Sequence, residues 1–114
     1  MRRAALGLAL LALSSGAQAA EQRLTFWNLT SDTITNLVMA PAGTDGFGSN
    51  QCANDRDGSV DHDERLRLTG IQPGRYDVRL TQKRGRVCTV RGVEVKGEGR
   101  YAFSLADDDL KDCK

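Results

Sequence analysis

Residues 65–95 read RLRLTGIQPGRYDVRLTQKRGRVCTVRGVEV, and their period decides the fold. Leu66 and Leu68 alternate with Arg65 and Arg67. Tyr76, Val78 and Leu80 alternate with Arg75, Asp77 and Arg79. A period of two residues marks a strand with one buried face and one wet face. The breaks between the runs carry turn chemistry: Pro73-Gly74 in the first, Lys83-Arg84-Gly85 in the second. From Arg86 the apolar phase passes through Cys88 and Val90, then slips to Val93 and Val95 at Arg91-Gly92. One extra residue in a strand, a β-bulge, produces that slip.

The same chemistry repeats on either side. Gln22–Leu29 is rich in strand formers, Leu24, Thr25, Phe26 and Trp27, and Asn28–Asp32 supplies a turn. Thr33–Ala40 is expected as the return strand, ended by Pro41. Arg100–Leu105 is expected as the last strand, with Tyr101, Phe103 and Leu105 inward. The tail, Asp107–Lys114, suits one helical turn with acidic residues at its start. The reading is all-β: a small antiparallel β-sandwich of about six strands, with a small barrel as the alternative. Between the second and third strands, Pro41–Asp63 is dominated by Pro, Gly, Asn, Asp and Ser, which predicts a long loop.

Residues 1–20 read differently. Arg2 and Arg3 precede an uncharged run, Ala4–Leu13, and Ala17-Gln18-Ala19 offers small residues for cleavage. This is the layout of a secretory signal peptide, and the apolar run is shorter than the roughly 20 residues a bilayer span needs. The expectation is a single domain over 21–114, exported to the periplasm or secreted, with no transmembrane anchor. A domain this small buries a limited share of its surface, so a covalent staple would help it. Cys52, Cys88 and Cys113 allow three single-bond pairings, and an oxidising compartment favours one of them forming. Cys88 lies at an apolar-facing strand position and Cys113 in a tail that needs tethering, so Cys88–Cys113 is preferred. Closing that loop of about 25 residues is worth about 3.5 kcal/mol in the chain-entropy model. Cys52 would then be the odd thiol.

At Ile71–Leu80 the chain resembles prealbumin-like β-sandwich modules, in which a Pro-Gly turn delivers an aromatic residue into the core. More broadly, it is similar to a group of small exported bacterial β-sandwich proteins of uncharacterised function. The residues that carry this are Asn28–Thr30, Ile34, Phe47-Gly48 in the loop, Pro73–Arg79, Gly85–Cys88 and Leu110–Cys113. The resemblance implies a β-sandwich and a periplasmic location, it supports the Cys88–Cys113 pairing, and it implies no activity.

The net charge of +1 names no partner, but its distribution is uneven. A basic stripe, Arg65, Arg67, Arg75, Arg79, Arg84, Arg86, Arg91 and Arg100, alternates outward on successive strands and is expected to share one sheet face. Arginine suits bidentate contact with carboxylate or phosphate. With Phe47 from the loop, Arg65, Arg67, Arg75 and Arg79 form the candidate binding surface for an envelope protein or anionic polymer. Export argues against nucleic acid. Asp55, Asp57, Asp61 and Glu64 fall near calcium-loop spacing around Gly58, but Ala53 stands where the first carboxylate belongs. A calcium-stabilised domain is therefore one alternative, and a small inhibitor of an envelope hydrolase is another. No cofactor is otherwise indicated. The only histidine, His62, lies between two aspartates, and a Cys52–His62 pair would need a depressed thiol pKa that nearby carboxylates oppose. The expectation is a protein without catalytic residues.

Overall fold

Phe26 is fully buried between half-buried Thr25 and Trp27, and this alternation recurs along every strand of the first sheet. The computed structural model describes residues 23–114; the expected signal segment, residues 1–20, lies outside them. The strands are β1 (Thr25–Leu29), β2 (Ile34–Pro41), β3 (Arg65–Arg67), β4 (Gly74–Gln82), β5 (Val87–Val95) and β6 (Phe103–Ala106). They form two three-stranded sheets, ordered β3-β1-β6 and β2-β4-β5. Phe26, Leu66 and Phe103 from the first sheet join Leu37, Val78 and Leu80 from the second in one buried cluster. Each such side chain contributes roughly 1.5–3 kcal/mol by leaving water. The all-β sandwich of six strands expected from the alternation is the fold observed. Among the described residues no helix is long and apolar enough to cross a membrane.

Connectivity departs from a chain of simple hairpins. β1 and β2 lie in different sheets, so the turn between them is an arch from one layer to the other. β4 and β5 form a true hairpin. β6 returns beside β1 in the same direction, with Phe26 opposite Phe103 and Leu29 opposite Ala106. A parallel pair needs a long crossover, and here four strands of the chain intervene.

The bulge sits at the expected place. Tyr76 pairs with Val93 but Val78 pairs with Val90, so β5 carries one extra residue opposite Asp77. Gly92 takes φ +67° there, a conformation that favours glycine. Asp77, expected on the wet face, is instead 2% exposed. Its carboxylate explains why: it accepts bonds from the Gly43 and Gly92 N–H groups, each 3.0 Å, and from Arg91 at 3.3 Å. One buried acid thereby ties the bulge to the start of the long loop. The Gly43 and Gly92 amides, aided by the Arg91 charge, outweigh burial and hold this carboxyl below the usual value of 3.8.

That loop is anchored rather than loose. The Asn50 side chain accepts from Leu37 N–H at 3.0 Å and caps the 3-10 turn Gln51–Asn54 through Cys52 N–H at 2.9 Å. Gln51, buried, exchanges two bonds with the Thr69 backbone. Val60 forms a two-bond bridge with Ile34, each bond 2.9 Å. At the other end of the chain, a 3-10 turn spans Asp107–Asp109, and the tail then lies along β5. Val87 exchanges two backbone bonds with Lys114, and Thr89 N–H donates to Lys111. Cys88 and Cys113 are disulfide-bonded across this pairing. The tail thus covers part of an edge strand that would otherwise offer unpaired backbone groups.

Replacing Cys88 and Cys113 together by Ala should lower unfolding free energy by roughly 2–4 kcal/mol in urea titrations. Amide exchange should accelerate first at Val87 and Thr89, whose partners belong to the released tail. Asp77 makes a pH prediction. Its folded pKa is depressed, so its contribution is complete above the usual carboxylate value and is lost as pH falls through the folded value. Asp77→Asn should lower the urea midpoint at neutral pH and flatten the acid limb of the stability profile. An unchanged acid limb would remove Asp77 from this role.

Candidate functional site

The layer order divides the arginine stripe. Arg65 and Arg67 stand on β3 of one sheet, whereas Arg75 and Arg79 stand on β4 of the other. Period-2 alternation places a residue inside or outside but carries no information about which layer a strand joins. The expected single basic face is therefore two separate surfaces.

On the β2-β4-β5 sheet, two of the expected binding residues meet. Gly48 N–H donates to Met39 O at 3.0 Å, folding the loop back along β2. Phe47 is thereby carried over the sheet, and the Arg79 guanidinium lies 4.1 Å from its ring centroid. This is cation–π distance, and the ring fixes the guanidinium without neutralising it. Beside it lies a hollow of about 450 Å3 whose lining includes Arg79, Thr89, Arg91, Lys114 and Asp112. Arg91 is paired with Asp77, but among the described residues no carboxylate lies within ion-pair distance of Arg79 or Arg75. Arg75 reaches the Gly92 carbonyl at 3.4 Å and stands opposite Glu94 across the ladder. Lys114 is the contributor that sequence reading missed, because its place beside β5 depends on the tail pairing.

On the β3-β1-β6 sheet, Arg65 is engaged within the protein. Its guanidinium lies 4.7 Å from the Trp27 ring and 5.5 Å from that of Tyr101. Arg65 Nε donates to the Tyr101 hydroxyl at 3.1 Å, and Nη1 donates to the Asp63 carbonyl at 2.7 Å. Trp27 Nε1 donates to the Asp63 carboxylate at 2.9 Å. Tyr101, expected inward, precedes β6 and stacks on Trp27 with centroids 4.7 Å apart. Arg67 is exposed at the far end of β3.

The acidic residues do not converge. Asp55 caps the Asp57 N–H at 2.9 Å, Glu64 accepts from the Asp61 N–H at 2.9 Å, and Asp61 accepts from the Thr33 hydroxyl at 2.8 Å. Asp55 and Glu64 serve their own turns while Asp61 ties to Thr33, and no group of three or more ligand side chains gathers among the described residues. Cys52 is fully buried, with Sγ 3.6 Å from the Ile34 carbonyl. Burial, reinforced by the Asp55 charge, pushes its thiol up to about 11. His62 is exposed and its Nδ1 lies 2.8 Å from the Thr30 carbonyl. Cys52 and His62 thus serve separate backbone carbonyls.

Compared with protein-family models, curated proteins and solved structures, the chain has no match.

The state of Cys52 is directly measurable. It should resist iodoacetamide in the native protein at neutral pH and take up one equivalent on unfolding, read by intact mass. Rapid native labelling would contradict the buried, protonated thiol.

Proposed function

We propose that the domain is an exported, non-enzymatic binding module that holds an anionic polymer on the outer face of the β2-β4-β5 sheet. The observation that carries this reading is Arg79. It is exposed, without a carboxylate partner among the described residues, held over Phe47, and set beside the Arg91–Lys114 hollow. A guanidinium fixed in this way loses little freedom on meeting a carboxylate or phosphate, so less of the interaction is spent on ordering. Arg75, two pleats along the same strand, extends the positive track.

A non-enzymatic role is supported by the side chains with nucleophilic or basic chemistry. The free thiol is buried and protonated, and the histidine lies on a turn against a different backbone carbonyl. Export to the periplasm or outside is supported by the sequence of residues 1–20 and by the disulfide, which persists in oxidising compartments.

The test uses immobilised polyglutamate and immobilised polyphosphate, which separate carboxylate from phosphate preference. Retention on at least one should weaken as salt rises. Arg75→Glu with Arg79→Glu should reduce it about tenfold or more at low salt, because reversed charges repel where the native ones attract. Circular dichroism confirms that the double variant is folded. Undiminished retention of a folded double variant would overturn the reading.

A further inference from the structure

The domain carries a second, chemically different concavity, which meets the hollow beside Arg79 at Arg91. A groove of about 730 Å3 runs between β5 and β6, the open edges of the two sheets. Trp27 and Tyr101 line one side of it, both half-buried. Their polar atoms already have partners: the indole N–H donates to Asp63, and the phenol oxygen accepts from Arg65. The two rings are thus fixed in place. They stack on each other with centroids 4.7 Å apart, and what the pair offers the groove is its remaining aromatic surface, which is electron-rich and attracts weakly polarised C–H groups.

The remainder of the lining mixes apolar side chains, Val90, Val93 and Phe103 among them, with charged ones balanced in sign. Arg91, Lys96 and Arg100 supply three cations, and Glu94, Glu98 and Asp109 supply three carboxylates. A polyanion gains nothing from such a rim, since each attraction meets a matching repulsion. A neutral ligand rich in hydroxyl groups gains from both signs, because a hydroxyl donates to carboxylates and accepts from guanidinium and ammonium groups. Apolar C–H faces together with dense hydroxyls are the chemistry of a sugar ring. The groove's volume lies in the range of ordinary small-ligand sites, about 300–1,000 Å3.

We infer that the groove between β5 and β6 is a binding site for a neutral oligosaccharide, with Trp27 and Tyr101 as its stacking surface. The site shares Arg91 with the hollow of the basic face but differs from that face in salt response. Interactions with a neutral ligand across a balanced rim are insensitive to ionic strength, whereas capture of a polyanion is not.

Trp27 is the only tryptophan in the chain, so its fluorescence reports on the groove directly. The experiment titrates the full chain with maltohexaose, cellohexaose and chitohexaose, following Trp27 emission and repeating the titration at low and high salt. At least one sugar should give a saturable change whose midpoint is the same at both salts. Tyr101→Ala should weaken that binding about tenfold, the effect of losing one aromatic anchor. Because Tyr101 also partners Arg65, a second variant, Lys96→Ala with Glu98→Ala, changes only exposed rim positions and should weaken binding as well. Three outcomes overturn the inference. They are no saturable response to any of the three sugars, a midpoint that shifts with salt, and a response that both variants leave intact. An extended peptide of alternating Thr and Val serves as the control for strand addition to the open edges. If that peptide alone saturates the signal, the groove is a strand-docking edge and the sugar inference fails.

Discussion

Asn28 is fully buried at the end of β1, and every hydrogen-bonding position of its side-chain amide is filled. Its nitrogen donates to the Val60 carbonyl at 2.9 Å and to the Asp32 carbonyl at 3.1 Å. Its oxygen accepts from the Thr30 N–H at 2.9 Å and from the Thr30 hydroxyl at 2.6 Å. Asn28 belongs to one sheet, and Val60 is bridged to Ile34 at the start of β2 in the other. One amide therefore laces the arch, the long loop and both layers together. A buried polar group left partly unsatisfied would cost more than it contributes, so this hub holds only while all its partners stay in register. The register of β3 depends on it too, since Asn28 N–H donates to the Glu64 carbonyl just before β3 begins.

The domain's other constraint is its open edge. Two sheets of three strands leave four edges, and the protein treats them unequally. The outer side of β2 receives Gly48 of the long loop, and part of β5 receives the disulfide-bonded tail. The second half of β5 and β6 border the large groove instead. The two outer faces diverge in the same way. Around Trp27 the arginine is consumed by aromatic rings and Asp63, while on β4 Arg79 has the ring of Phe47 and, among the described residues, no carboxylate partner. One face therefore has a local charge balance and the other has unspent positive charge, although the chain as a whole is nearly neutral.

Much of this architecture is legible in the sequence. The strands announce themselves through alternation, and the bulge through the slip from Val90 to Val93, because a bulge must shift every later side chain to the other face. The pairing of Cys88 with Cys113 follows from a buried strand position and a short tail. Asp77 was harder to place: its position in the alternation is that of a wet residue, and its burial depends on Gly43 arriving from a loop 34 positions away. The acidic loop misleads for a related reason. Asp55, Asp61 and Glu64 sit at intervals suggestive of a cation site, yet each is spent on an amide or hydroxyl beside it. Asn28-Leu29-Thr30, a glycosylation-like triplet by composition, is a structural hub whose partners lie up to 32 positions away.

What the sequence determined by itself is local geometry: which residues extend, which turn, where a strand slips and, with the exceptions of Asp77 and Tyr101, which strand residues point inward. Those properties depend on φ/ψ preference and on a period that repeats within a few residues. The tertiary structure alone decided which layer each strand joins. It therefore also decided that Arg65 stands apart from Arg79, that Phe47 lies on Arg79, and that Tyr101 lies on Trp27. The physical reason is that strand pairing is a contact between distant segments, set by competition among all the edges the chain can offer. The alternating run at 65–95 fixes the faces of three strands, but it says nothing about β3 leaving its neighbours β4 and β5 to pair with β1.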